Sequence, residues 1–420
     1  MTRLGALLRH ELLRRSILFA APILASTVVG VFSIPVLVAT VGARQWAVLV
    51  VLQSIGQFFA ILVAFGWGAT GPSMVAARPR HERRQFYLDS LVARGVVFVV
   101  AIPLAAVLGM LVTGQGLVNA LLSAVAYAAP GIGAAWYFIG GNRPAALFFL
   151  DALPLIVGQV AGLVAVLMWP DLTAYLAGVA AFAVLGSILS AGYVLTRADD
   201  GPLSWRARRS LGSLYSSQLG GTATMVSGSI YSTLPPTLVQ IVAPAVLPVY
   251  AIADRLYKYA VLALGPILQA VQSWVPETAG EQTRRRARRT LELGAAIGLV
   301  GGLCIAVLSP PVSSFLTVGE VRIPVVAAIL LGLAFAAEAV AQVAGLAGLV
   351  ALGGVRHLAW SSIAAAIVGL PLFAALTWWL GVVGAAAALL LVALGTAAYR
   401  AWHVIRLARL ADQGHPRPAE

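Results

Sequence analysis

The chain has 420 residues, of which 60% are hydrophobic and only 10% are charged. Soluble domains are about 45–50% apolar and roughly a quarter charged, so this composition excludes a soluble globular protein and predicts a membrane protein. The net charge of +13 arises from 28 basic residues against 15 acidic ones. Membrane proteins collect such basic residues in their cytoplasmic loops, so the charge does not indicate nucleic-acid binding.

The first 15 residues predict a short helix on the cytoplasmic membrane surface. Leu4, Leu7, Leu8 and Leu12 share one helical face and the basic residues lie elsewhere, which is typical of an interfacial helix. The apolar run that follows is about 25 residues long. A cleavable signal has an apolar region of only about 7–15 residues, so we expect this run to be the first transmembrane helix.

Each membrane crossing needs about 20 apolar residues, and on that criterion the sequence predicts about twelve transmembrane helices. The first six lie near residues 16–40, 46–69, 91–113, 117–139, 145–168 and 172–195. The second six lie near residues 211–242, 248–274, 291–309, 324–350, 358–380 and 382–402. The predicted fold class is therefore an all-α polytopic membrane protein.

Its single cysteine and five histidines lack metal-ligand spacing, so no metal site and no cofactor is expected.

The distribution of basic residues predicts the orientation of these helices. All but four of the 28 basic residues fall in segments on the same side as the N-terminus. Arg44 and Arg322 lie on the opposite side, and Arg255 and Lys258 lie within a helix. Positive residues accumulate on the cytoplasmic side, so both termini are predicted to be cytoplasmic in a multi-pass protein of the plasma (inner) membrane.

An internal repeat predicts two six-helix lobes. Arg14-Arg15-Ser16 opens the first helix and Arg208-Arg209-Ser210 opens the seventh. Gly140–Arg143 joins helices four and five as Gly353–Arg356 joins ten and eleven. The predicted domains are an interfacial helix (1–15), an N-terminal lobe (16–195), a cytoplasmic linker (196–210), a C-terminal lobe (211–402) and a cytoplasmic tail (403–420). Transporters built from such repeats bind substrate between the repeats near the midplane of the bilayer.

Five short segments carry a resemblance to a known family. They are Ile34–Leu37, Val41–Trp46, Phe65–Gly68, the stretch from Pro130-Gly131 through Trp136–Gly140, and Pro248–Leu256. Together they resemble the polysaccharide (O-antigen, Wzx-like) flippases of the superfamily that also contains MATE multidrug exporters and the lipid II flippase. The resemblance implies a MATE-like fold and a flippase for a polyprenyl-diphosphate-linked oligosaccharide in surface polysaccharide biosynthesis. The implied partners are this lipid-linked oligosaccharide, membrane lipids, H⁺ or Na⁺ as coupling ion, and the polysaccharide polymerase machinery.

Charged residues inside a bilayer are costly and therefore mark candidate functional sites. Helix eight carries Asp254 and Arg255 roughly 10 Å deep and Lys258 roughly 15 Å deep, at about 1.5 Å per residue. Asp254 and Lys258 have the i, i+4 spacing of an ion pair. Arg255 and Lys258, with Arg44, are candidates to neutralise a diphosphate. The alternative is a packing ion pair, or side chains that reach the outer interface.

Further candidates lie on helices five, eight and ten. Tyr250 and Tyr257 could stack on sugars, although tyrosines near an interface are also ordinary belt residues. Glu338, with Gln342 one turn later, is a candidate for coupling to an ion gradient together with Asp254. The alternative is a hydrogen bond from Glu338 to a neighbouring helix. Asp151 is expected at the cytoplasmic edge, within reach of Arg143 or Arg94.

The sequence leaves three functions open. No acidic residue occurs between Glu11 and Glu82 or between Asp89 and Asp151, so the first four helices lack a membrane carboxylate for a cation-coupled drug exporter. This favours a flippase over a multidrug antiporter of the same fold. A membrane-embedded glycan-processing enzyme is disfavoured, because the outer loops are short and offer only Asp171 and Glu320 as acids. The protein is therefore expected not to be an enzyme, and the absence of a Walker loop argues against ATP as direct energy source.

Overall fold

The computed structural model describes residues 3–204, 209–265, 268 and 281–412, with side chains for 24–204, 209–265, 268 and 289–409. Within these ranges every regular element is helical. Predictions that concern residues 1–2, 205–208, 266–267, 269–280 and 413–420, including the end of the predicted span 248–274, lie outside the described residues. The chain divides into two compact units, Met1–Thr237 and Leu238–Glu420.

The part of the first unit that the structure describes contains eight α-helices. They are α1 (Arg3–Ala64), α2 (Trp67–Ala77), α3 (Arg80–Thr113), α4 (Leu117–Ala128), α5 (Ala135–Gly140), α6 (Pro144–Met168), α7 (Leu172–Thr196) and α8 (Leu211–Thr233). α6 contains a π-helical segment, Leu147–Ala152. The apolar composition of these helices and their lengths follow from the bilayer, in which each backbone polar group must find an internal partner.

The remaining helices follow a break at Leu234. They are α9 (Pro235–Val242), α10 (Leu247–Ala263), α11 (Glu281–Leu316), α12 (Val325–Val343) and α13 (Val355–Asp412). A π-helical segment, Ala344–Leu349, continues α12. α9 begins with the two prolines that the sequence places inside its seventh predicted span, so that span is broken as its composition indicates.

Glycine kinks divide the two longest helices. Eight helical segments in the described part of the chain are long and apolar enough to cross a membrane, and Leu24–Ala77 and Val355–Arg409 have 54 and 55 residues. Gly42 (φ 82°) interrupts α1 and Gly381 (φ 58°) interrupts α13. Both kinks fall between predicted spans, so each long helix provides two crossings. The predicted all-α, polytopic fold class is confirmed, and a count of about twelve membrane helices agrees with these elements.

The side chains that face outward show which solvent surrounds the helices. Val99 and Leu111 on α3 and Leu299 and Phe315 on α11 are exposed. Continuous apolar surface of this extent is absent from soluble monomers, and lipid accounts for it. The protein is therefore a multi-pass membrane protein.

Helix α8 packs within the first unit. Ser54 on α1 donates a hydrogen bond to the carbonyl oxygen of Thr233. At Gly66 (φ 80°), which separates α1 from α2, a Cβ atom would lie 2.6 Å from the carbonyl oxygen of Gln218 on α8. Only glycine allows this approach. The compact unit that contains α1 to α7 also contains α8 and ends at Thr237. The predicted lobe boundaries at 195 and 211 stay a prediction.

Candidate functional site

A buried carboxylate organises the charged face of α10. Asp254 is only 6% exposed. The ammonium group of Lys258 donates a hydrogen bond to Asp254 Oδ2 at 2.7 Å, and the hydroxyl group of Tyr250 donates to Oδ1 at 3.3 Å. The i, i+4 ion pair expected from the sequence is confirmed. Two donors therefore hold one carboxylate in place, and the carboxylate in turn fixes the position of Lys258.

The cations of α10 are more accessible than the carboxylate. The side chain of Lys258 is 41% exposed, and Arg255 is half-buried. Residues three apart on a helix are neighbours, so Arg255 and Lys258 share one face. This face is a place where an anion can meet two cations.

The two tyrosines predicted to stack on sugars, Tyr250 and Tyr257, both pack against other side chains of the second unit. Tyr250 is only 2% exposed, and its ring packs edge to face against Phe373 at 5.5 Å. Its hydroxyl group donates a hydrogen bond to Asp254. The ring is therefore buried beside the carboxylate and exposes no face on which a sugar could stack. Tyr257 is half-buried and packs against the cluster that contains Leu264, Leu268 and Phe335. In the first unit, Arg44 is exposed two residues after the Gly42 kink.

Glu338 lies beside a buried arginine that sequence reasoning assigned to a cytoplasmic segment. Gln342 donates a hydrogen bond to Glu338 Oε1 at 2.7 Å. Arg400 on α13 is only 7% exposed and is close enough to interact electrostatically with Glu338. Its guanidinium group donates to the Ala341 carbonyl oxygen at 3.1 Å, to Ser361 Oγ at 2.8 Å and to Ser362 Oγ at 3.0 Å. Arg400 is therefore part of the packed helices, because these acceptors replace the water that a loop arginine would bind.

The first unit contains a second buried arginine that the sequence analysis placed at the cytoplasmic side. Arg94 on α3 is 0% exposed. It donates hydrogen bonds to the carbonyl oxygens of Gly131 at 3.2 Å and Gly133 at 2.7 Å. The chain leaves regular α-helix at Ala129–Ile132, and this leaves carbonyl groups without helical partners. The sequence analysis did not predict this break, although the Pro130-Gly131 pair is a sequence signal that indicates one.

Asp151 belongs to the surroundings of Arg94. Its carboxylate lies against Gly133, since a Cβ atom added at Gly133 would be 2.8 Å from Asp151 Oδ1. The backbone N–H of Ala134 donates a hydrogen bond to the same carboxylate. Arg94 interacts electrostatically with Asp151. Of the two partners considered from the sequence, Arg94 is the neighbour. The π-helical segment of α6 carries Asp151 to this position.

Arg143 instead binds Asp200. Arg143 lies in the loop between α5 and α6, and Asp200 lies just after the end of α7. Its guanidinium group donates to Asp200 Oδ1 at 2.6 Å, and the Tyr137 hydroxyl donates to Oδ2 at 2.9 Å. Burial alone would raise the pKa of Asp200, but the hydrogen bonds from Arg143 and Tyr137 outweigh it and hold this pKa below its usual value. The same hydrogen bond raises the pKa of Arg143.

We expect Asp200→Asn to lower the free energy of unfolding by about 2 kcal/mol at pH 7, because it removes one partner of a largely buried ion pair. The pKa of Asp200 is depressed in the folded state, so the stabilisation is present at neutral pH. It is lost as the pH falls below about 4 and the carboxylate takes up its proton. Thermal unfolding in detergent between pH 7 and pH 3 measures this. Asp199→Asn is the matched control, since Asp199 is 80% exposed. A gap between the Asp200 variant and native protein that stays constant down to pH 3 would contradict the assignment.

Comparison with solved structures identifies the fold. The lipid II flippase MurJ in an inward closed conformation superposes with a TM-score of 0.69 at 14% identity, covering 94% of this chain and 90% of MurJ. An inward-facing multidrug resistance MATE family transporter of the MOP superfamily gives a TM-score of 0.69 at 14% identity, over 93% of this chain and 96% of the transporter. The Vibrio cholerae MATE transporter VcmN gives 0.60 at 12% identity, over 97% and 98%.

The chain has the fold of these transporters. No family model matches its sequence, and no curated protein is similar enough in sequence to count as a relative. The identities of 12–14% show the fold alone. Within the described residues, no group of three or more His, Cys, Asp or Glu side chains is arranged to hold a metal ion.

Proposed function

We propose that this protein is a flippase that moves a polyprenyl-diphosphate-linked oligosaccharide from the cytoplasmic to the outer leaflet of the plasma membrane. The observation that supports this most is the charged face of α10, where Arg255 and Lys258 lie one turn apart and buried Asp254 holds Lys258. A diphosphate carries two anionic groups, and a guanidinium group with an ammonium group one turn away provides a donor for each.

Asp254 has a defined part in this proposal. An ammonium ion in a membrane helix is costly without a counter-ion, and the 2.7 Å contact with Asp254 supplies one while no cargo is bound. The cargo's phosphate would compete with Asp254 for Lys258. The arrival of cargo would then remove the positive charge of Lys258 from the buried carboxylate, and a coupling cation, H⁺ or Na⁺, would take its place. This exchange of partners links cargo binding to a coupling ion.

Glu338 is the second candidate for ion coupling. It lies in the second unit between Gln342 on its own helix and the positive charge of Arg400. A carboxylate that has a neutral amide and one cation as neighbours is a place where a coupling ion could exchange with that cation. Arg44, exposed beside a helix kink, is the third candidate contact for the diphosphate.

A multidrug antiporter is the second candidate function. It is favoured by the MATE transporter that matches the chain with the same TM-score as the lipid II flippase. The absence of acidic residues from 12–81 and 90–150 argues against it, because cationic drugs and their coupling ions need carboxylates. The motifs at 34–37, 65–68 and 248–256, which resemble polysaccharide flippases, also favour a lipid-linked cargo.

Leaflet transfer in proteoliposomes tests the proposal. Vesicles carry a polyprenyl-diphosphate oligosaccharide in the inner leaflet, and an external glycosidase reports how fast it reaches the outer leaflet. Native protein is expected to accelerate this transfer. Arg255→Ala is expected to slow it at least about tenfold, since a hydrogen bond to a charged group is worth about 1.5–3 kcal/mol.

Arg322→Ala is the matched control, because Arg322 is exposed and lies outside α10. It should transfer the glycan at the native rate. Equal rates for native protein and Arg255→Ala would retain the flippase and remove Arg255 from the site. No acceleration by native protein, with ion-driven efflux of a cationic dye from the same vesicles, would establish the antiporter instead.

A further inference from the structure

The two halves of α13 enclose an apolar groove on the outer surface of the second unit. The groove has a volume of about 470 Å³. Its lining includes Trp360, Val368, Leu372, Leu391, Gly395 and Tyr399. Trp360, Val368 and Leu391 are exposed. In a membrane protein such a groove faces lipid.

The length of the groove corresponds to one leaflet. Trp360 and Leu372 line its two ends on the first half of α13. They are separated by twelve residues, which is about 18 Å at 1.5 Å per residue. Half of a hydrocarbon core of about 30 Å is roughly 15 Å. One extended acyl chain of a phospholipid is therefore the ligand whose length the groove matches.

The end of the groove at Trp360 and Tyr399 is polar and aromatic. His357 Nδ1 lies 3.1 Å from the Tyr399 hydroxyl oxygen, and the rings of His357 and His403 stack at 3.7 Å. These contacts join the two halves of α13 above the groove. Aromatic and imidazole rings of this kind are typical of the headgroup level of a membrane.

Two arginines lie beyond this end of the groove. Arg356 shares a helix face with Trp360, and Arg406 shares one with Tyr399, because residues four and seven apart lie on the same face of a helix. Arg356 precedes His357, and Arg406 lies one turn beyond Trp402 with its guanidinium carbon 5.5 Å from the Trp402 ring. Both arginines are exposed. The sequence between Glu338 and Asp412 contains no acidic residue, so this segment supplies no counter-charge of its own. The headgroup end of the groove is therefore complementary to an anion.

We propose that this groove binds one anionic diacyl phospholipid from the surrounding bilayer, with an acyl chain along Trp360–Leu372 and the phosphate beside Arg356 and Arg406. The site lies within α13 and is independent of the proposed cargo site on α10. A polyprenyl chain is several times longer than one leaflet, so the groove matches a membrane phospholipid better than the tail of the cargo. By the distribution of arginines, the lipid would come from the leaflet predicted to be cytoplasmic.

Native mass spectrometry of the full-length protein tests this site. The purified protein is mixed with equimolar phosphatidylglycerol and phosphatidylcholine of identical acyl chains, and retained lipids are counted. We expect one phosphatidylglycerol to be retained with about tenfold preference, since each fixed cation near a membrane surface favours anionic lipid. Arg356→Gln/Arg406→Gln should abolish this preference.

Gly395→Leu places a side chain in the groove, and its Cβ atom displaces no protein atom, because a Cβ atom at Gly395 meets nothing within 4 Å. It should reduce the retained lipid about tenfold while the melting temperature in detergent stays unchanged. Gly192→Leu on α7 is the matched control, since a Cβ atom at Gly192 also meets nothing within 4 Å. It should retain lipid as native protein does.

Three results would overturn the proposal. Native retention by Gly395→Leu would show that lipid binds elsewhere. Equal retention of phosphatidylcholine by native protein would show that Arg356 and Arg406 do not select an anion. Displacement of phosphatidylglycerol by an equal concentration of polyprenyl phosphate would assign the groove to the cargo.

Discussion

Replacing Arg94 with methionine is expected to lower the free energy of unfolding by about 3–5 kcal/mol, because it removes one partner from a fully buried polar cluster. The side chain is 0% exposed and binds the carbonyl oxygens of Gly131 and Gly133. Methionine has similar length but no donor, so both acceptors lose their partner inside the helix bundle. An unsatisfied buried acceptor costs about 1–3 kcal/mol. Asp151 would also lose its neighbouring cation.

Thermal unfolding in detergent measures this loss, with Arg80→Met as the matched control. Arg80 is an exposed arginine at the start of the same helix, and its variant should melt within about a degree of native protein. The double variant Arg94→Met/Asp151→Asn should recover part of the lost stability. It also removes the charge of Asp151, which has no neighbouring cation once Arg94 is replaced. An Arg94→Met variant that melts with the Arg80 control would show that the buried arginine adds nothing to stability.

Hydropathy predicted most of this fold. Spans of about 20 apolar residues and short polar loops placed the boundaries near Gly42 and Gly381, where the structure has its kinks. It did not predict the break at Phe65–Gly66 or the π-helical segments at Leu147–Ala152 and Ala344–Leu349. These depend on contacts between helices, such as that of Gly66 with Gln218, which no local pattern records.

The candidate site was predicted in part for a similar reason. Helical spacing correctly paired Asp254 with Lys258, because an i, i+4 contact is local. Counting charges by side of the membrane placed Arg94 and Arg400 on the cytoplasmic side, and it did not predict that both are buried. An arginine near a helix end can reach the interface or turn inward, and the choice depends on acceptors supplied by distant parts of the chain.

Arg94 and Arg400 each link neighbouring helical segments within their own unit. Each donates to at least one backbone carbonyl oxygen and lies near one carboxylate, Asp151 or Glu338. Neither side chain is available to cargo, since both are buried. The cations of α10 differ from them, because the side chain of Lys258 is 41% exposed and is held through a single carboxylate. This contrast is why we propose the cargo contact on α10.

A double variant of the α10 ion pair separates cargo binding from helix packing. Lys258→Gln is expected to slow leaflet transfer about 10–100-fold, the value of one lost charge-assisted hydrogen bond to phosphate. It also leaves the carboxylate of Asp254, 6% exposed, without its counter-charge, so the melting temperature of the variant should fall. Asp254→Asn/Lys258→Gln removes both charges and should restore the melting temperature. If Lys258 binds the diphosphate, transfer by the double variant stays as slow as by Lys258→Gln. If the pair only packs α10 against its neighbours, transfer recovers together with stability, and the diphosphate site must lie elsewhere.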